Sequence, residues 1–174
     1  AAMAGAAFSD FDNTLQVNMD ATRVLFGYYQ GGQVWLLVID PATGNKLVQT
    51  IIALNPPSLR GLACSDDGRY VVLNCGPTHV VYDAQLGQER GRINTGASTE
   101  PTAISETGEW VAAGFTTCKA WQWDPGAQVY VLRWTRSAAS HYLGVNMISE
   151  RGYWIVGWYS SSYNRNKIQR WSLD

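Results

Sequence analysis

The chain has 174 residues, of which 46% are hydrophobic and 16% charged, with a net charge of −1. That is one domain's length, with apolar residues enough for a core, and it lacks the excess of Lys and Arg by which general nucleic-acid or anionic-membrane binders are recognised. Disorder is excluded by the same composition, and eight Trp, nine Tyr and 17 Gly are the mixture that strands and tight turns favour.

Residues 1–5 read as a loose terminus or a cloning remnant. The Ala-rich start has neither the basic end nor the long apolar stretch of a signal peptide as it stands. From there to the C-terminus one pattern recurs four times: a short apolar stretch, a tight turn, a strongly β-prone stretch, and a further stretch ending in Asp. The first copy runs through Asn18-Met19-Asp20-Ala21-Thr22-Arg23-Val24-Leu25-Phe26-Gly27 to Val38-Ile39-Asp40. It lacks the turn glycine and is the weakest. The turn Pro41-Ala42-Thr43-Gly44 follows, then a fourth stretch, Lys46–Ile52. The second copy has Cys64-Ser65-Asp66-Asp67-Gly68-Arg69-Tyr70-Val71-Val72-Leu73, then Val81-Tyr82-Asp83, the turn Ala84–Gly87 and Glu89–Asn94. The third has Ile104-Ser105-Glu106-Thr107-Gly108-Glu109-Trp110-Val111, then Gln122-Trp123-Asp124, Pro125-Gly126 and Val129–Trp134. The fourth has Ile148-Ser149-Glu150-Arg151-Gly152-Tyr153-Trp154-Ile155 and stops at Ser172-Leu173-Asp174. The aspartates are spaced 43, 41 and 50 residues apart. Each unit therefore holds about four short strands, and no segment carries ten residues of helical periodicity. Closely spaced strands joined by Gly and Asp turns predict an all-β protein of stacked antiparallel sheets.

On these residues the chain resembles the WD40-repeat β-propellers. The features that carry the resemblance are the repeat length, the S-x-[DE]-G-type turn, the D-x-x-x-G turn at Asp40–Gly44 and Asp83–Gly87, and the dipeptide closing the third strand. That dipeptide is Trp123-Asp124 in one copy and Ile-Asp, Tyr-Asp or Leu-Asp in the others. The family's Gly-His dipeptide before the first strand is absent from every copy, so its Asp–His–Ser/Thr–Trp network does not carry over. The resemblance implies a degenerate propeller over residues 6–174, of about four four-stranded antiparallel blades ending near 40, 83, 124 and 174. The last blade lacks its own outer strand. Either Ala6-Ala7-Phe8-Ser9 supplies it and closes the ring, or the ring is incomplete and is completed by a second copy or another chain.

Candidate chemistry is sparse. Asp10-Phe11-Asp12-Asn13-Thr14 resembles the D-x-D-x-T motif of the haloacid dehalogenase phosphatases, which would make Asp10 the nucleophile and Asp12 the general acid beside Mg²⁺. That family also needs an apolar parallel strand before the motif and helices around the sheet, and the pattern supplies neither. Cys64, Cys75 and Cys118 have no C-x-x-C spacing and read as small buried side chains, with a Cys64–Cys75 disulfide as an alternative. His79 and His141 fall in predicted loops, and the tryptophans read as packing between blades. No metal site, cofactor site or catalytic residue is expected.

The resemblance gathers the loops between blades and the loops between second and third strands on one face. The longest is Tyr159–Asn166, which mixes Tyr, Ser, Asn and Arg in the way of adaptable protein-binding surfaces. Tyr159, Tyr163, Arg165, Arg60 and His141 are the expected contacts for a protein or peptide partner. The expected role is a non-catalytic interaction scaffold in the cytoplasm, with no nucleic-acid or membrane partner. A structural part of a larger propeller or assembly is the alternative, and a phosphatase is the third reading.

Overall fold

The computed structural model of the chain describes residues 13–54, 59–96, 102–114, 117–137, 142–148, 153–160 and 165–172, with side chains described between residues 14 and 135. Among the described residues there are 15 strands and no helix. The first sheet contains β1 (Asn13–Val17), β2 (Val24–Gln30), β3 (Gln33–Ile39) and β4 (Lys46–Leu54). The second contains β5 (Gly61–Cys64), β6 (Tyr70–Cys75), β7 (Thr78–Asp83) and β8 (Gln88–Asn94). The third contains β9 (Thr102–Ile104), β10 (Trp110–Gly114), β11 (Thr117–Asp124) and β12 (Val129–Ser137). The fourth contains three strands, β13 (Tyr142–Ile148), β14 (Tyr153–Ser160) and β15 (Arg165–Ser172). Strands neighbour one another in chain order within every sheet, and every pairing is antiparallel. The first strands of the sheets sit side by side, β5 against β1, β9 against β5 and β13 against β9. The sheets thus fan out from a common centre, each leaning on the next.

Local chemistry explains the repeat. In the turn after the first strand, a short polar side chain accepts from the backbone five residues on. Ser65 Oγ takes the Tyr70 amide at 2.9 Å and Ser105 Oγ the Trp110 amide at 3.0 Å. Asn18 fills the same place in the first sheet, its Oδ1 taking the Arg23 amide at 2.6 Å. That sheet's turn forms without a glycine because Ala21 takes the left-handed backbone, φ 57°. The aspartates act likewise after the third strand. Asp83 Oδ1 accepts from Gln85 and Leu86, each at 3.0 Å, and Asp124 Oδ1 from Gly126 and Ala127 at 2.9 and 3.1 Å. Four residues beyond each aspartate the backbone goes left-handed, at Gly44, Gly87 and Gln128. In the third sheet that strained position is held by Gln128, not by the Gly126 that marks the turn in the sequence.

Alternation then builds the core between sheets. Leu25, Val34, Leu36 and Val38 of the first sheet meet Val71, Leu73 and Val80 of the second, all fully or nearly fully buried. On the other face of the second sheet Val72, Val81 and Ile93 meet Ile104, Val111, Trp121 and Tyr130 of the third. The second sheet is covered on both faces, so β6 and β7 read as near-continuous apolar runs. Each fully buried Val or Leu stabilises the stack by about 1.5–3 kcal/mol.

Three expectations need correction. His79 lies in β7, fully buried, rather than in a loop. The hairpin between the second and third strands of the fourth sheet is tighter than expected: Tyr159, Ser160, Arg165 and Asn166 belong to strands. Cys64 and Cys75 sit at opposite ends of the β5–β6 pair, so no disulfide joins them, and none of the three cysteines is in a disulfide. At the N-terminus Asn13–Val17 pairs with β2 and is the first strand of its own sheet, while Ala6–Ser9 lies outside the described residues.

Candidate interaction surfaces

The two ends of the sheets differ in character. At the loop end, Arg60 is exposed and its amide donates to the Asn74 carbonyl at 2.8 Å, beside the Gly76-Pro77 turn. The sheets are cross-tied there. Thr95 donates to the Pro77 carbonyl through both its amide and its hydroxyl, at 2.9 and 3.0 Å. Lys119 Nζ of the third sheet donates to the Thr95 carbonyl at 3.1 Å. His79 Nε2 lies 2.9 Å from Thr102 Oγ1 of the third sheet, and burial lowers its pKa from 6.5 to about 4. The ring is therefore neutral and tied into the packing, unsuited to general acid–base work at neutral pH.

Of the expected contact residues, the backbone brings Tyr159 and Arg165 to the same end of the β14–β15 hairpin, where Ser160 pairs with Arg165 and Tyr159 with Asn166. Tyr142 pairs with Tyr159 from the other side. Arg60 belongs to the second sheet, two sheets away. Tyr163 and His141 lie outside the described residues, as do Asp10, Asp12 and the stretch Ala6–Ser9.

At the turn end, a cleft of about 400 Å³ opens between the second and third sheets. Arg69 donates to Asp83 Oδ2 through Nε and Nη2, at 3.1 and 2.9 Å. Burial opposes the charge on Asp83, but the Arg69 guanidinium and the turn amides prevail and hold its carboxyl below the ordinary value. The Arg69 guanidinium lies 4.7 Å from the Tyr70 ring centroid. That of Arg90 lies 4.4 Å from Tyr70 and 4.8 Å from Trp123. Arg90 Nη1 also donates to the Thr107 carbonyl at 3.1 Å, and the buried Tyr130 hydroxyl donates to the Gly108 carbonyl at 2.7 Å. These groups clamp the third sheet's turn onto the second sheet. Sequence reasoning missed this set, because its members come from separate strands and turns of two sheets.

A third surface is the outward face of the first sheet. Register places Leu15, Phe26 and Leu37 in one row, Val17, Val24 and Ile39 in a second, and Tyr28, Trp35 and Ile51 in a third. Leu37 alone is buried; the rest are half-buried or exposed, and Tyr28 stacks on Trp35 with ring centroids 6.1 Å apart.

Among the described residues no group of His, Cys, Asp and Glu has the arrangement to hold a metal ion. Burial pushes the thiols of Cys64, Cys75 and Cys118 up to about 12, which leaves them poor nucleophiles. No helix among the described residues is long and apolar enough to cross a membrane.

The arrangement of sheets has clear counterparts among solved structures. The WD40 repeats of RRP9 superpose with a TM-score of 0.62 at 15% identity, over 92% of this chain and 51% of that one. The β-propeller domain of Cps50 (Swd1) from Myceliophteria thermophila gives 0.62 at 18% identity, over 91% and 53%. Kuenenia stuttgartiensis hydrazine synthase gives 0.60 at 11% identity, over 99% and 53%. The chain spans about half the length of each. No family model matches the sequence, and no curated protein does. The fold is a β-propeller like that of these solved WD40 domains: among the described residues, successive antiparallel sheets, three of four strands and one of three, stand as blades.

Proposed function

We propose that residues 6–174 act as a non-catalytic interaction module, a propeller unit that works in the cytoplasm and presents its loop end to a protein or peptide partner. Tyr159, Tyr163 and Arg165 form the centre of the contact, with Arg60 and His141 at its margin. The observation that supports this reading is the β14–β15 hairpin end, where backbone pairing sets Tyr159 and Arg165 in adjacent rows flanking residues 161–164. Tyr and Arg supply large contact area and planar hydrogen bonding, and residues of these types dominate binding energy at protein interfaces. A blade scaffold holds such a hairpin still at little entropic cost. Solved propellers of this fold include one in a mitotic checkpoint complex, which accords with an interaction role.

The phosphatase reading is set aside on architecture. It needs a parallel sheet flanked by helices, and the described chain is built of antiparallel hairpins alone. The test of the main reading is affinity capture of partners by the wild-type chain and by a Tyr163→Ala/Arg165→Ala variant. The expected result is loss of the captured proteins with an unchanged melting temperature. Undiminished capture overturns the site. Hydrolysis of a generic phosphate ester that needs Mg²⁺ and disappears in Asp10→Asn overturns the non-catalytic role.

A further inference from the structure

We propose that the cleft between the second and third sheets is a contact separate from the loop end, a socket for the carboxylate of an acidic peptide segment of a protein partner, with Arg90 as its anchor. The cleft measures about 400 Å³, within the ~300–1,000 Å³ usual for ligand pockets. Its charges balance except at one point. Asp83 is held by Arg69, and Glu89 accepts from Nε and Nη2 of Arg92, each at 2.8 Å. Among the described residues no carboxylate pairs with Arg90. Its guanidinium donates to the Thr107 carbonyl and lies against the Tyr70 and Trp123 rings. Those contacts hold the group still, so an arriving anion has little side-chain motion to arrest.

The backbone sets Arg90 in this place. Val81 pairs with Gly91 and Tyr82 with Glu89, so Arg90 is the extra residue of a β-bulge in β8, a device that re-aims a side chain. The first sheet bulges at the same distance from its aspartate, at Leu47, between the Val38–Val48 and Ile39–Lys46 pairs. The repeat therefore folds with an aliphatic residue at that point and does not require a cation there. Around Arg90, Leu86 leaves an apolar side chain 61% exposed at the rim, and the exposed Gln88 and Gln128 add amide donors. These groups match an acidic residue with an apolar neighbour. One surplus guanidinium beside the carboxylates of Asp83 and Glu89 suits a single negative charge, whereas a phosphate brings nearly two against the same acids. The Tyr70 and Trp123 rings are already engaged by guanidinium groups, which makes them poor platforms for stacking a nucleic-acid base.

The test uses the full chain on arrays of peptides randomised on both sides of a fixed central Asp or Glu, with matched arrays that fix Asn, Gln or phosphoserine instead. The expected result is binding to the carboxylate arrays about tenfold or more above the amide and phosphoserine arrays, with apolar residues selected beside the acid. The best acidic peptide, labelled with a fluorophore, is then titrated by anisotropy. Arg90→Leu, which repeats the first sheet's own choice at Leu47, is expected to weaken it about tenfold or more. Leu86→Glu, at an exposed position, is expected to weaken it as much with an unchanged melting temperature, so the test stands even where Arg90→Leu loosens the joint. Leu47→Glu adds the same charge on the first sheet and is expected to leave binding intact. Equal binding of acid and amide arrays, or binding to none, overturns the proposal. So does a preference for phosphoserine, an affinity that survives Arg90→Leu or Leu86→Glu, or one that Leu47→Glu also abolishes.

Discussion

Replacing Gly108 by alanine separates two costs that are usually confounded. Gly108 sits in the third sheet's first turn at φ 68°, and a Cβ there meets the Tyr70 ring and comes within 2.6 Å of Arg90 Nη1. Gly87 has nearly the same backbone, φ 69°, but a Cβ there meets nothing within 4 Å. A left-handed non-glycine residue costs about 1–2 kcal/mol, which is all that Gly87→Ala should lose. At Gly108 the overpacking of a filled joint adds about 1–3 kcal/mol, for a total of about 2–5 kcal/mol. In a domain of this size each kcal/mol shifts the melting temperature by about 2–4 °C. Urea and thermal denaturation of the two variants read the difference directly. The added loss in Gly108→Ala should couple to Tyr70: in a Tyr70→Ala background the substitution should cost no more than it does at Gly87. Equal losses at the two glycines, or a full-sized loss that persists without the Tyr70 ring, would refute the account of the joint between the second and third sheets.

Two further outcomes follow from the same packing. His79 titrates at 6.5 when exposed and at about 4 in the fold, because burial disfavours its charge. Between those values the unfolded chain binds the proton and the folded one does not. Stability is therefore full above pH 6.5 and falls as the pH drops towards 4, by about 1.4 kcal/mol per unit. Melting curves across that window should show the loss in the wild type and little of it in His79→Gln; identical profiles would contradict it. The lowered carboxylates, Asp40 and Asp83 among them, add their own losses only at still lower pH. Gln128 holds the left-handed position that Gly44 and Gly87 fill elsewhere, at φ 55°. Gln128→Gly should raise stability by about 1 kcal/mol in urea denaturation, and a loss there would mean the third turn is not built like the others.

What the sequence disclosed depended on how local each determinant is. The aspartates at 40, 83 and 124 were legible because each caps a turn within four residues of itself. The strained residue in the third turn was not legible, since Gly126 is the eye-catching glycine while Gln128 carries the unusual backbone. His79 looked like a loop residue because Gly76-Pro77 precedes it; its burial is imposed by Thr102, 23 residues away in another sheet. The Arg69–Tyr70–Arg90–Trp123 clamp escaped for the same reason, since only the stacking of sheets brings those residues together. At the candidate site the hairpin of β14 and β15 was foreseen, but its turn was drawn too long. Strand pairing reaches Ser160 and Arg165, and a β-prone stretch carries no local mark of where pairing ends.

The central claim is that each repeat folds on itself as one antiparallel sheet and that sheets meet only face to face. Cross-strand nuclear Overhauser effects in isotopically labelled protein test it most directly. The account predicts backbone contacts for Cys75 with Thr78 and Gly114 with Cys118 within hairpins, and none that zip strands of different repeats into one ladder. Parallel strand contacts, or a ladder shared between strands of two repeats, would contradict it.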